Sequence, residues 1–255
     1  MKLKTTYYYL VAWFFSFAVY GDKLTFVTQH FAPFSYEIGH KPAGPAVEVV
    51  NAACDQANIK CEIYVLDWPK AQSRVYSGLT DGLFLIGRNS QREKLLHFSA
   101  PVMKSEYGFF VKGDKRSSFS YESDIDGLRI GVYGPSNTAK SLMGLNKSNR
   151  FTVVMFPHDE FSFLELAAGK LDAVYSNRIV GQALIYKLGL SNIKYTSTHK
   201  SINYYIGLSK QFTDEKTAVR FIKAVSEIKN KGYINKILSK YTMDDFTSDN
   251  NFIVE

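Results

Sequence analysis

The chain has 255 residues, of which 45% are hydrophobic and 22% are charged, and its formal net charge is +7. This length is enough for one large or two small domains with buried cores. The basic excess is small and the lysines are scattered, which excludes a nucleic-acid-binding patch, so no nucleic-acid partner is expected.

Residues 1–21 are typical of a secretory signal peptide. Lys2 and Lys4 precede a largely apolar run from Tyr7 to Tyr20, which is shorter than the roughly 20 residues that span a membrane. Cleavage beside Gly21 predicts an exported, periplasmic protein. Its charge falls from +7 to +5 because both lysines leave with the leader. An uncleaved N-terminal anchor is the alternative, since Tyr20 is an awkward neighbour for the peptidase.

Hydrophobic periodicity predicts a first α/β unit directly after the leader. Its predicted strands are 24–28, 61–66 and a strand that ends near Gly87, and its predicted helices are 45–57 and 69–76. The order strand, helix, strand, helix, strand predicts a parallel sheet with crossover helices.

A second unit of similar plan follows the polar, serine-rich stretch 112–126. Its predicted strands are 128–133, 151–156 and 171–175, and its predicted helices are 136–142 and 159–168. Asp159 and Gly169 stand where helix-capping rules favour them. The stretch 214–241 has the apolar spacing of two packed terminal helices, and 247–255 is expected to be a loose tail.

One phrase of the sequence carries a family resemblance. Gly78-Leu79-Thr80-Asp81-Gly82 leads into a hydrophobic strand and then into 89–101, which contains Arg92 and ends His97-Phe98-Ser99-Ala100-Pro101. This resembles family 3 of the periplasmic solute-binding proteins of amino-acid uptake systems. Their pattern runs Gly-x-x-Asp-(Ala/Gly), a strand, then Thr-x-x-Arg-x-x-x-x-(Asp/His)-Phe-Ser-x-Pro.

The resemblance extends over nearly all of residues 22–245 and implies a fold. That fold is the type II periplasmic-binding-protein fold, in which two α/β lobes are joined by a two-strand hinge with the ligand cleft between them. It places residues 22–106 and 205–255 in lobe 1 and residues 107–204 in lobe 2.

The resemblance also assigns ligand-binding residues. Arg92 falls on the arginine that grips a ligand carboxylate, Phe31 and Trp68 fall on the two walls that sandwich the ligand, and Ser136 and Asn137 lie in a turn at a helix N-terminus, a natural anion site. Each has an ordinary alternative. Arg92 would be a solvated arginine in a charged turn, the aromatic residues would be core, and the turn would be a helix cap.

Asn177 departs from the family pattern. Five residues after Asp172, amino-acid binders of the family carry a second aspartate, which pairs with the ligand's ammonium group. An amide has no charge to offer, and a neutral hydrogen bond is worth roughly half a charged one. Proline at position 135 also removes a backbone donor from the neighbouring turn. These departures predict a carboxylate-bearing ligand that need not be an ordinary α-amino acid.

The two cysteines, Cys54 and Cys61, are predicted to form a disulfide. An even count in an exported chain favours it, and some amino-acid-binding members of the family carry a disulfide at this spacing. Two buried thiols are the alternative.

The predicted function is capture of an amino acid or related small polar carboxylate for an ABC-type uptake system. The partners expected are the small-molecule ligand and an ABC permease of the inner membrane, and the protein is expected to be a monomer. No nucleophile, metal or phosphate-loop motif occurs, so neither catalysis nor a cofactor is expected. The alternatives are a periplasmic enzyme similar to cyclohexadienyl dehydratase on the same fold, and a ligand-sensing partner of a membrane receptor.

Overall fold

The computed structural model describes residues 22–113 and 119–241, so the predicted leader and the predicted tail lie outside the described residues. The strands are β1 (Lys23–Thr28), β2 (Tyr36–Ile38), β3 (Lys41–Ala43), β4 (Lys60–Val65), β5 (Gly82–Ile86), β6 (Leu96–Phe98), β7 (Met103–Lys112), β8 (Arg129–Tyr133), β9 (Thr152–Phe156), β10 (Ala173–Asn177) and β11 (Ile193–Ser209). The helices are α1 (Pro45–Ala57), α2 (Trp68–Tyr76), α3 (Ser90–Leu95), α4 (Tyr121–Asp124), α5 (Asn137–Leu145), α6 (Asp159–Ala167), α7 (Arg178–Leu188), α8 (Glu215–Asn230) and α9 (Tyr233–Ser239).

The first lobe is built on the neighbouring strands β4, β1 and β5, which run parallel to one another. The apolar face of α1 packs against α8, and both helices cover this sheet. The rings of Phe26 and Phe221 lie 5.0 Å apart at this contact, and both side chains are fully buried. Burying a phenylalanine contributes about 1.5–3 kcal/mol, so α8 returns from the C-terminal part of the chain to complete the first core.

The second lobe is built on β7, β10, β8 and β9 in that order. Strands β8, β9 and β10 are parallel, whereas β7 is antiparallel to β10. Phe109 packs between the rings of Phe119 and Tyr175 on one face of the sheet, and Phe110 packs against Phe163 of α6 on the other. Each lobe therefore has its own buried aromatic core.

Strand β11 belongs to both sheets. Over its 17 residues it pairs first with β7, up to the partners Tyr204 and Met103, and then with β5, starting at the partners Tyr205 and Ile86. The lobe boundaries expected at 106/107 and 204/205 fall inside β7 and β11.

A disulfide joins Cys54 near the end of α1 to Cys61 in β4, with a Cα to Cα distance of 6.2 Å. Asn58, in the left-handed conformation with φ of 53°, turns the chain between them. The predicted disulfide is thus confirmed, and it fastens a helix to the strand that follows it.

The structure extends the predicted elements in two places. Strand β7, helix α7 and most of strand β11 were not predicted from the sequence, and β7 and β11 are the strands that connect the two lobes. The stretch 214–241 is divided into α8 and α9, and Gly232 has a φ of 74° at the break. Glycine adopts this left-handed conformation without the steric cost of a side chain.

Candidate functional site

The carboxyl ends of the parallel strands of both lobes carry the predicted site residues. Open α/β sheets bind ligands at these ends. In the first lobe Trp68 follows β4 and Arg92 follows β5, and in the second lobe Ser136 follows β8 and Asn177 ends β10. We call the space between the two sets the cleft.

Arg92 is buried, with 4% of its surface exposed. Its Nη1 donates to the Gly87 carbonyl oxygen at 2.8 Å, its Nη2 donates to Gln72 Oε1 at 3.1 Å and its Nε donates to the Tyr76 hydroxyl at 3.4 Å. Asn89 caps α3 by accepting a bond from the Arg92 backbone N–H. All of these acceptors are neutral, and each terminal nitrogen retains an N–H for a further acceptor.

Trp68 lines the first lobe beside this arginine. Its ring lies 5.3 Å from the guanidinium carbon, within cation–π range. Tyr133, from the end of β8, packs against the cluster that contains Trp68. An aromatic side chain of the second lobe therefore reaches the wall that holds Arg92.

Phe31 lies half-buried near the hinge strand. Its ring centroid is 5.3 Å from that of Phe34 and 5.9 Å from that of Tyr204. Phe34 is fully buried and belongs to the first core. Phe31 keeps a partly open ring at the same place.

Ser136 and Asn137 begin α5. Ser136 Oγ accepts from the Ala139 backbone N–H at 3.0 Å and donates to the Tyr133 carbonyl at 2.7 Å, so it caps the helix. Asn137 reaches across to the first lobe, where its Oδ1 accepts from Asn89 Nδ2 at 3.1 Å. The turn thus combines the cap with a direct contact between the lobes.

Asn177 is buried, with 2% of its surface exposed. Its Oδ1 accepts from Ser105 Oγ at 3.0 Å and from the backbone N–H groups of Ile179 and Val180 at 2.9 and 3.3 Å. Its Nδ2 donates to the Tyr204 hydroxyl at 2.8 Å. The amide caps α7 and ties it to the strands that join the lobes.

The family model for bacterial extracellular solute-binding proteins, family 3, matches residues 24–244. The chain belongs to this family. A curated relative of this solute-binding protein is named "Probable amino-acid-binding protein YxeM" from Bacillus subtilis (strain 168). The two are 23% identical over 219 residues, which cover 84% of this chain and 81% of the relative.

Solved structures share the fold of this family 3 protein. A histidine kinase sensor domain with similarity to periplasmic binding proteins superposes with a TM-score of 0.77 at 19% identity, covering 86% of this chain and 96% of that one. An ancestral arginine-binding protein bound to arginine gives 0.75 at 24% identity, covering 86% and 97%. The predicted two-lobed type II fold is confirmed.

Several cleft residues of this solute-binding protein were not identified from the sequence. Thr138 and Tyr204 both act on the Tyr107 hydroxyl by lowering its pKa, although burial has the larger, opposite effect. The Tyr204 hydroxyl accepts a hydrogen bond from Asn177. Burial raises the pKa of both tyrosines. Recognising β7 and β11 as the strands between the lobes would have placed both tyrosines at the cleft.

Asp159 was recognised only as a helix start. It follows β9 and so lies at the same strand ends as Ser136 and Asn177. Ser176 Oγ donates to its Oδ1 at 2.6 Å, and burial raises the pKa of the carboxyl to about 6. The position after a parallel strand was the available signal, because that is where cleft residues of open sheets occur.

Within residues 22–113 and 119–241, no cluster of metal-ligating side chains occurs. No helix within these ranges has the length and apolar character needed to cross a membrane.

Proposed function

We propose that this family 3 protein captures an amino acid or a closely related small carboxylate in the periplasm and delivers it to an ABC permease of the inner membrane. The single observation that carries the proposal is the state of Arg92. It is a buried cation whose acceptors among the described residues are all neutral.

A buried charge without a counter-charge is costly. Stacking on Trp68 and three neutral acceptors offset part of that cost, and a ligand carboxylate would offset the rest. The planar guanidinium takes a carboxylate through two parallel N–H bonds, and an N–H remains on each terminal nitrogen. Arg92 is therefore proposed as the carboxylate clamp.

The remaining proposed contacts surround this clamp. Trp68 and Phe31 would pack on the apolar body of the ligand. Ser136 and Asn137 would meet the carboxylate from the second lobe through the N-terminus of α5. Asn177 is proposed to donate its remaining amide N–H to the ligand and to position the Tyr204 hydroxyl through their hydrogen bond. Hinge closure over the ligand would select the form that docks on the permease.

Isothermal titration of the purified protein with the standard amino acids tests this proposal. We expect at least one to bind with micromolar or better affinity, and Arg92→Ala to weaken binding at least about thirtyfold, since truncating one partner of a buried charge pair costs about 2–5 kcal/mol.

Arg88→Ala is the matched control. Arg88 is an exposed arginine that pairs with Glu93 at 2.6 Å, and its loss is expected to leave affinity unchanged. Equal affinities for wild type and Arg92→Ala would refute the clamp, and failure of every amino acid to bind would refute the proposed ligand class.

A further inference from the structure

Asp159 is an acidic side chain of the cleft without a cationic partner. It begins α6, where β9 ends, and its Oδ1 accepts only the Ser176 hydroxyl among the described residues. No lysine or arginine within the described ranges forms an ion pair with it. Fixed at the strand ends of the second lobe, the carboxylate is available to a positively charged group.

Arg92 and Asp159 act on the same buried hydroxyl from opposite lobes. Burial has the largest effect on the pKa of Tyr107 and raises it. The Arg92 charge lowers that pKa, and the Asp159 charge raises it further. Asp159 also raises the pKa of Tyr133, the residue that packs against the Trp68 wall. The cleft therefore holds a buried cation, Arg92, in the first lobe and a half-buried carboxyl, Asp159, in the second.

Asn177 cannot serve as the hydrogen-bond acceptor for a cationic group of the ligand. Its amide oxygen already receives three hydrogen bonds from within the protein. A carbonyl oxygen with that many donors has no lone pair left for an ammonium group. A cationic group in the cleft therefore needs another acceptor.

We propose that Asp159 binds the cationic group of a dipolar ligand whose carboxylate is held by Arg92. This inference rests on the proposed function, because it assumes that Arg92 is the carboxylate clamp. It assigns the ligand to the zwitterions: compounds that lack either charge lose one of two charge-assisted bonds.

Asp159 is the main group in this part of the cleft that titrates at acidic pH. The flanking strands contribute tyrosines that are neutral at physiological pH, the turn before α6 contributes His158, and the basic residues of α7 pair with glutamates. These groups are Tyr133 of β8, Tyr107 of β7, Tyr175 of β10, Tyr204 of β11, Arg178 with Glu106, and Lys187 with Glu160. Strand β9 carries no ionisable side chain.

A bound cation would hold Asp159 ionised, so ligand affinity is linked to its proton. Below about pH 6 the unliganded carboxyl takes up a proton that the ligand must displace. Affinity is then expected to fall by up to about tenfold per pH unit as the pH decreases from 6 towards 5.

The test is isothermal titration with L-glutamine, L-arginine, L-lysine and L-histidine at pH 7.5, followed by a pH series with the tightest binder. We expect Asp159→Asn to weaken that binding at least about tenfold and to abolish the fall in affinity below pH 6. The matched control Glu160→Gln changes the next residue of the same helix and is expected to bind like wild type. The des-amino analogue of the tightest binder should bind wild type and Asp159→Asn equally.

Asp67, the other carboxylate that acts on Tyr133, provides a second comparison. Unchanged affinity in Asp159→Asn, or loss in Asp67→Asn instead, would overturn the inference while Arg92→Ala still supports the binding function. If none of the four binds wild type, the remaining standard amino acids are titrated, and failure of all of them would refute both the proposed ligand class and this inference. The wild-type pH series needs no variant, so a folding defect in Asp159→Asn leaves one decisive measurement.

Discussion

Asn89 Nδ2 donates to Asn137 Oδ1 at 3.1 Å, and this bond joins the first lobe to the second. Asn137 Nδ2 also lies 3.5 Å from the carbonyl oxygen of Gly87, the same oxygen that accepts from Arg92. The contact that closes the lobes is therefore adjacent to the proposed carboxylate clamp, and ligand binding and closure share one set of polar groups.

Asn137→Ala should shift the unliganded protein towards an open arrangement. Loss of a hydrogen bond worth about 1 kcal/mol corresponds to about fivefold in the closing equilibrium. We expect a larger radius of gyration by small-angle X-ray scattering and an amino-acid affinity about fivefold weaker. Lys140→Ala, at an exposed site of the same helix, is the control. An unchanged radius and affinity would show that the bond does not hold the lobes together.

Asn177→Ala should destabilise the protein by about 2–4 kcal/mol. The change removes the cap of α7 and takes away the amide that bonds the buried Ser105 and Tyr204 hydroxyls. Asn177→Asp keeps an oxygen acceptor for the helix N–H groups and should lose clearly less. Urea unfolding of the three proteins measures the difference, and equal losses in both variants would argue against the capping role.

Asp159→Asn should make the unliganded protein more stable at pH 7.5. Burial raises the pKa of Asp159 in the folded state to about 6, above the ordinary value of an aspartate, which is about 3.9, so the folded state holds this proton more tightly. Its contribution to stability is fully present below about pH 4 and is lost as the pH rises through 6, by at most about 3 kcal/mol.

The measurement is the free energy of unfolding of wild type and Asp159→Asn between pH 4 and 8. The difference between the two proteins isolates this group from carboxyls with lowered pKa values, such as Glu48 and Asp214, whose effects have the opposite sign. A difference that does not depend on pH would mean that Asp159 keeps an ordinary pKa. A gain in stability on its removal is the pattern expected of a residue retained for binding.

Removing the disulfide should lower stability without changing ligand affinity. Cys54 and Cys61 lie seven residues apart, and closing so short a loop contributes about 2 kcal/mol. Cys61 is near the start of β4, whereas Trp68 of the cleft follows the end of that strand. We expect Cys54→Ala/Cys61→Ala to melt at a lower temperature and to titrate like wild type. A large change in affinity would indicate that the disulfide also positions the cleft.

The elements predicted from the sequence are those whose burial follows a simple period. Helix α1 begins and ends where its apolar spacing predicts, because one face packs on a sheet and the other faces solvent. Strand β11 alternates poorly over 194–203, since this strand crosses from one lobe to the other and both of its lysines are exposed. The alternation of apolar and polar residues is weak in a strand segment that is buried on neither face.

The site was predictable only in part. The motif around Arg92 predicted that the arginine follows β5 and lies at the cleft. Its neutral partners Gln72 and Tyr76 could not be predicted, because they belong to a different element, α2. Asp159 was indistinguishable from a helix cap, since a first-turn carboxylate stabilises any helix. The Ser176 hydroxyl and the raised pKa arise from contacts between elements, which no local pattern contains.

The shared strand β11 has a mechanical consequence. Its backbone hydrogen bonds continue from one sheet into the other without a flexible linker. Unfolding of one lobe would therefore also break backbone hydrogen bonds of β11 in the sheet of the other lobe. Heating should therefore melt both lobes in one calorimetric transition. The amide protons near Tyr204 and Tyr205, where the two sheets meet, should be among the last to exchange with deuterium.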